Sequence, residues 1–212
     1  MTWRLTRFIV IVGLLLGAAP SGLRAQGSRP GLGFELGYSR ASFAPGGLTG
    51  AREGSLIGGF ISQRIGGPLS AQIELLFTTK GGALTAGTPV GPAPAAVQTV
   101  YVEIPLLARV VLPLGRRVSP VLLGGGSYAL SVGCEFQADV PGAFAQTRCD
   151  QPGTGLQLVK SDMSAIVGGG VEYRWRSSTV RLELRRFIGL RNVVQGSAGK
   201  NRVWVALFGI TF

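Results

Sequence analysis

The chain has 212 residues, including 34 Gly, 21 Lys or Arg, 10 Asp or Glu, two Cys and no His, for a formal net charge of +11 with only 15% charged residues, against about 25% in soluble proteins. Without histidine, Ser-His-Asp and Cys-His nucleophiles, HExxH zinc sites and any imidazole base or relay are excluded. A mean hydropathy of +0.35 and 46% hydrophobic residues exclude a disordered chain.

Residues 1–25 have the order of a secretory signal peptide: Arg4 and Arg7, an apolar run over 8–19, then a small-residue stretch ending in Leu-Arg-Ala before Gln26. Twelve apolar residues are too few for a spanning helix, which needs about 20. Its removal predicts one mature domain, residues 26–212, in which loss of Arg4, Arg7 and Arg24 leaves 18 basic and 10 acidic side chains, a net +8. These charges are scattered in ones and twos, as at Arg116 with Arg117, Arg174 with Arg176 and Arg185 with Arg186. That is no nucleic-acid footprint; anionic lipid headgroups or lipopolysaccharide phosphates are the natural partners.

Beyond residue 26 no run is apolar enough for a transmembrane helix, and the period of the pattern is two. Clean alternation marks strands over 32–38, 69–80, 100–104, 163–173, 180–185 and 202–212, and the Gly-rich apolar segments 56–65 and 121–132 complete a set of eight. The connections alternate in length. Short ones fall at 66–68, 113–119 and 176–178, and long ones at 43–54, 81–97, 133–159 and 190–200. Eight strands of about 9 to 12 residues, with short turns at one end and long loops at the other, predict an all-β fold. The architecture expected is an eight-stranded antiparallel up-and-down transmembrane β-barrel with both termini at the turn end.

One strand face carries Leu32, Phe34, Leu36, Tyr38, Ile73, Leu75, Phe77, Val100, Val102, Ile104, Leu106, Val167, Val171, Leu182 and Leu184. The other carries Glu35, Gln72, Glu74, Tyr101, Glu103, Arg109, Glu172, Arg181, Glu183 and Arg185. Alternation alone fits a soluble barrel with the apolar face inward or a membrane barrel with it outward. The export signal, the low charge fraction and the economy of charge along the strands favour the membrane. The expected lumen network is Glu35, Glu74, Glu103, Arg109, Glu172, Arg181, Glu183 and Arg185, with Lys80 as a further partner. Glycosidic chemistry between two such carboxylates is the alternative. Ion pairing is preferred because eight strands enclose only enough room for side chains, and charges buried there must be paired.

Gly124–Gly126 and Gly168–Gly170 lack the helix and the Lys-Ser/Thr end of a phosphate loop. Strand glycines relieving crowding explain them better. Cys134 and Cys149, in one long loop of an exported chain, predict a disulfide worth about 3 kcal/mol in the entropic model. The last strand places Trp204, Ala206, Phe208, Ile210 and Phe212 on one face. A strand alternating back from a terminal aromatic is similar to the signal read by the outer-membrane assembly machinery, here Trp204, Phe208, Ile210 and Phe212.

Residues 101–107 (Tyr-Val-Glu-Ile-Pro-Leu-Leu), 168–173 (Gly-Gly-Gly-Val-Glu-Tyr) and 184–192 (Leu-Arg-Arg-Phe-Ile-Gly-Leu-Arg-Asn) resemble, in order and spacing, the PorT-like outer-membrane β-barrel family. Residues 75–81 match the end of its third strand, so the resemblance spans about 31–212. Two departures stand out: the family usually has Tyr where this chain has Phe187, and Arg185 is extra. The resemblance implies an eight-stranded barrel of the bacterial outer membrane and brings location more than activity.

The functional expectation is a non-enzymatic integral outer-membrane protein with a structural or interaction role through its long loops, without cofactor or metal and as a monomer. Its partners would be outer-membrane lipids, the assembly machinery and some extracellular or envelope protein. A small-ligand or lipid-binding barrel of lipocalin type, secreted or periplasmic, is the competing reading. An outer-membrane lipid enzyme is a weaker one, because such enzymes recognisable by their chemistry use His.

Overall fold

The computed structural model describes residues 30–44, 50–88, 91–115, 117–140, 143–149, 159–192 and 200–212. The proposed signal peptide, residues 1–25, lies outside them. Among the described residues there are nine strands: β1 Gly31–Ala44, β2 Gly50–Gly66, β3 Leu69–Thr88, β4 Gly91–Val111, β5 Val118–Val140, β6 Ala143–Arg148, β7 Ser161–Trp175, β8 Ser178–Asn192 and β9 Lys200–Thr211. All pairings are antiparallel. The order β4-β3-β2-β1-β9-β8-β7-β5 closes through β4–β5 into an eight-stranded up-and-down barrel, with first and last strands joined from Gly33↔Thr211 to Ala44↔Lys200. Closure leaves the barrel wall no free edge.

All the barrel strands but β9, which has 12 residues, exceed the 9 to 12 expected from alternation, the longest running to 23. The ladders continue into segments assigned to loops. Residues 81–97, expected as a Pro-rich loop, form the β3–β4 ladder from Gly81↔Gln98 to Thr88↔Gly91. Pro92 and Pro94 fit because β4 meets β5 only from Ala95 onward, so above that level it is an edge strand with one side unclaimed. In the expected loop 133–159, β5 runs on to Val140 and pairs β6 from Glu135↔Arg148 to Val140↔Ala143. This ninth strand lies outside the barrel closure. In the expected loops 43–54 and 190–200, β2 begins at Gly50 and β8 runs to Asn192.

The opposite end is tight. Gly67 takes a φ of +51° in the two-residue turn from β2 to β3, and Arg176 takes +56° between β7 and β8. The first is the left-handed conformation that glycine adopts freely; the second imposes it on a residue with a Cβ.

Burial alternates along the strands, as in β9, where Asn201, Val203, Val205 and Leu207 are buried and their neighbours exposed. The exposed outer surface is the apolar one: Phe34 is 68% exposed, Leu106 60%, Leu182 56% and Phe77 51%. Glu103 and Arg185 inside are 0% exposed. The polarity is the reverse of a soluble barrel and matches one whose outer wall meets hydrocarbon.

Candidate functional site

Along each strand the inward side chains divide into three tiers. Nearest the turns stand Glu35, Gln72, Glu74, Arg109, Glu172, Arg181, Glu183 and Arg185. In the middle Leu76, Leu107, Ile166 and Leu207 belong to one buried apolar cluster. Toward the loops stand Thr78, Lys80, Thr99, Tyr101, Glu103, Ser127, Asp162 and Asn201.

The turn-side tier is a lattice of guanidinium and carboxylate groups. Arg185 Nη1 and Nη2 donate to Glu74 at 2.7 and 2.9 Å, a forked contact across the lumen, and its Nε donates to Glu183 at 2.8 Å. Its Nη2 also lies 3.5 Å from Glu35. Arg109 Nη2 reaches Glu183 at 2.6 Å and Glu172 at 2.8 Å, and Arg181 Nη2 reaches Glu35 at 2.7 Å. Gln72 ties these pairs together: its Oε1 accepts from Arg109 at 2.5 Å and from Arg181 at 2.8 Å, and its amide donates to Glu74. Arg181 also stacks on Phe60, 3.4 Å from the ring centroid. Planar forks hold several carboxylates at fixed angles at once, which an ammonium cannot do.

Small residues make room for these long ones. A Cβ on Gly209 would stand 2.6 Å from Arg181 Nε, and one on Gly170 would stand 2.1 Å from Leu182 O and 2.9 Å from Glu183 Cγ.

The loop-side tier is built on one ammonium. Lys80 Nζ lies 2.7 Å from Glu103 and 5.4 and 5.3 Å from the ring centroids of Tyr101 and Phe187. Ser127 and Thr78 donate to Glu103 at 2.5 and 3.3 Å. Asp162 accepts from Asn201 Nδ2 at 2.7 Å and from the Met163 amide at 2.8 Å. Counting both tiers, six carboxylates (Glu35, Glu74, Glu103, Asp162, Glu172, Glu183) face four cations (Lys80, Arg109, Arg181, Arg185). Hydroxyl and amide donors reach Glu74, Glu103 and Asp162, and Glu35 Oε1 is buried without a hydrogen-bond partner among the described residues.

All eight residues expected in the lumen face inward. Seven of them share the turn-side lattice, while Glu103 stands apart from them with Lys80. Sequence reasoning did not single out Gln72 as the bridge, nor Asp162 and Asn201, which stand one residue outside the strands marked by alternation at 163 and 202. Extending the period by one step would have found both. The carboxylates of Glu35 and Glu74 are 0% exposed, so no glycosidic substrate can reach them. Among the described residues, no group of three or more His, Cys, Asp or Glu could hold a metal ion. Cys134 and Cys149 form a disulfide at the foot of the β5–β6 ladder. Trp204, Phe208 and Phe212 point outward and are exposed, and Ile210 is half-buried.

No protein-family model matches the chain, and no curated protein sequence matches it. Among solved structures it is similar to the outer membrane protein OprG from Pseudomonas aeruginosa, with 14% identity and a TM-score of 0.50 over 86% of this chain and 95% of that one. It also matches Neisserial surface protein A, with 15% identity and a TM-score of 0.49 over 87% and 96%. A further match is Ail of Yersinia pestis, with 10% identity and a TM-score of 0.40 over 86% and 95%. At such identities the OprG likeness speaks for the fold alone: the chain is a closed, antiparallel, eight-stranded up-and-down barrel of the architecture seen in small outer-membrane proteins.

Proposed function

We propose that this protein is a non-enzymatic, integral barrel of the bacterial outer membrane. In this reading residues 1–25 direct its export, Trp204, Phe208, Ile210 and Phe212 present the last strand to the assembly machinery, and the loop end serves a structural or interaction role. The observation that carries the reading is the reversed polarity of the wall. Large apolar side chains cover the outside while charges fill the inside, an arrangement stable only where the outer surface meets hydrocarbon. A lipocalin-type binder would need an apolar interior cavity, whereas this interior holds an ionic lattice.

The PorT-like placement rests on the segments 101–107, 168–173 and 184–192. The disulfide and the β5–β6 ladder give the loop end a fixed shape suited to contact with a partner. The lumen, closed in its middle by Leu76, Leu107, Ile166 and Leu207, conducts no steady ion current in this reading. The test is fractionation of cells expressing the full chain. Recovery in the outer membrane after alkaline extraction, with migration on gels that changes on heating, is expected; recovery in the soluble periplasm would overturn the proposal.

A further inference from the structure

The outward faces of the strands are not equally apolar. On β3, β4, β5 and β7 the outward positions within 69–79, 100–110, 118–132 and 163–173 carry no charged side chain. The outward charges of the strands at this level (Arg40, Glu53, Arg186, Lys200 and Arg202) all lie on β2, β1, β9 and β8, which are neighbours in the wall.

Three of the arginines surround one tryptophan. Arg40 on β1 and Arg186 on β8 stand directly opposite Trp204 in the two ladders of β9, and Arg202 is the next outward residue along β9 toward the loops. Residues so opposed have their Cβ atoms about 5 Å apart. Arg186 lies over the Trp204 ring at 5.0 Å from its centroid. Its Nε is shut off from solvent and has no hydrogen-bond partner among the described residues. Leu184 and Ile188, exposed on either side along β8, belong to the apolar surface. The one carboxylate of the cluster, Glu53, faces Arg40 across the β1–β2 ladder.

The height of the cluster follows from strand geometry. Trp204 is eight residues above the terminal Phe212. At about 3.3 Å per residue and a tilt near 40°, that is about 20 Å along the barrel axis, near the loop-side edge of an apolar band about 25 Å tall. Positive charge on the outer wall at that level, with Arg186 Nε shut off from solvent and without a hydrogen-bond partner among the described residues, suits an anion supplied from the membrane. Guanidinium forks fit the oxygens of a phosphate, and Trp is suited to the boundary between headgroups and chains.

We propose that Arg40, Arg186 and Arg202, arranged around Trp204, form a binding site for the phosphorylated headgroup of a glycolipid in the outer leaflet. The inference rests on the membrane reading above and deepens it by naming a lipid and a side of the barrel.

The test is native mass spectrometry of the folded mature chain in detergent micelles, titrated with bisphosphorylated lipid A, with fully dephosphorylated lipid A, and with inorganic phosphate as competitor. The wild type is expected to bind the bisphosphorylated lipid at least tenfold more tightly than the dephosphorylated one, with no displacement by millimolar phosphate. The variant Arg40→Gln/Arg186→Gln/Arg202→Gln loses that preference, whereas Arg64→Gln at the turn end keeps it. Equal binding of the two lipids by the wild type, or an unchanged preference in the triple variant, would overturn the site. Displacement by inorganic phosphate would overturn the lipid as its occupant. The wild-type comparison needs no variant to fold, and heat-modifiable migration reports the barrel separately, so failure of the lipid site is distinguishable from failure of the membrane reading.

Discussion

The two polar tiers of the lumen solve one problem by different chemistry. On the turn side three arginines and Gln72 interlock four carboxylates, so that each cation touches at least two acceptors. On the loop side a single lysine meets one carboxylate, and Ser127, Thr78 and Asn201 supply the remaining donors from neutral groups. The lattice is a network in which loss of one member strands several charges; the cluster is a set of local pairs backed by hydroxyls and amides. The difference teaches where the barrel is rigid, because buried charges lacking partners are costly and neutral donors soften that cost.

Substitutions in each tier, with one in a turn as a reference, should separate the tiers, each read by urea unfolding of the barrel in micelles. Arg185→Leu should have the largest effect, a loss of about 3–5 kcal/mol or failure to fold, because Glu74 and Glu183 are left buried without their fork. Lys80→Met should cost about 2 kcal/mol, since Glu103 retains Ser127 and Thr78. Adding Glu103→Gln to it should recover part of that loss, whereas Glu74→Gln added to Arg185→Leu should recover little. Gly209→Ala should cost about 1–2 kcal/mol by pushing Arg181 off its contacts. Arg176→Gly should stabilise by up to about 1 kcal/mol, relieving a positive φ in a turn remote from both tiers. A lattice substitution no more damaging than Lys80→Met would erase the distinction between the tiers. Conductance in planar bilayers addresses both at once: large, steady channels from the wild type would contradict a lumen closed by packed side chains.

Much of this was legible in the sequence, for identifiable reasons. Period-two alternation sorted the residues by face, because a register slip of one would turn Glu35, Glu74 and Arg185 onto the apolar outer wall and is therefore forbidden. The strand count and the alternation of short and long connections gave the closed topology. The strand ends were not legible. Pro92 and Pro94 look like loop residues until the edge position of β4 is known, and β6 is held by a backbone ladder to β5 outside the barrel closure.

Partner choice in the lumen was not legible either. Faces follow from parity along one strand, but the contact of Arg185 with Glu74 depends on how β8 and β3, far apart in sequence, face one another across the barrel. Arg186 shows the same limit from the outside. Beside Arg185 it reads as one of a basic pair, and only the ladder to β9 reveals that it stands in the outer wall against Trp204.

In the membrane reading the apolar face of the wall meets lipid. The most direct measurement places a nitroxide at Ile73, Leu75 and Phe77 of β3, one at a time, in the barrel reconstituted in liposomes, and compares its collisions with oxygen and with a water-soluble nickel complex. All three sites are outward and exposed. Oxygen, which concentrates in hydrocarbon, is expected to outcompete the nickel complex at every one of them. Stronger access by nickel at these sites would place that face in water and overturn the membrane reading.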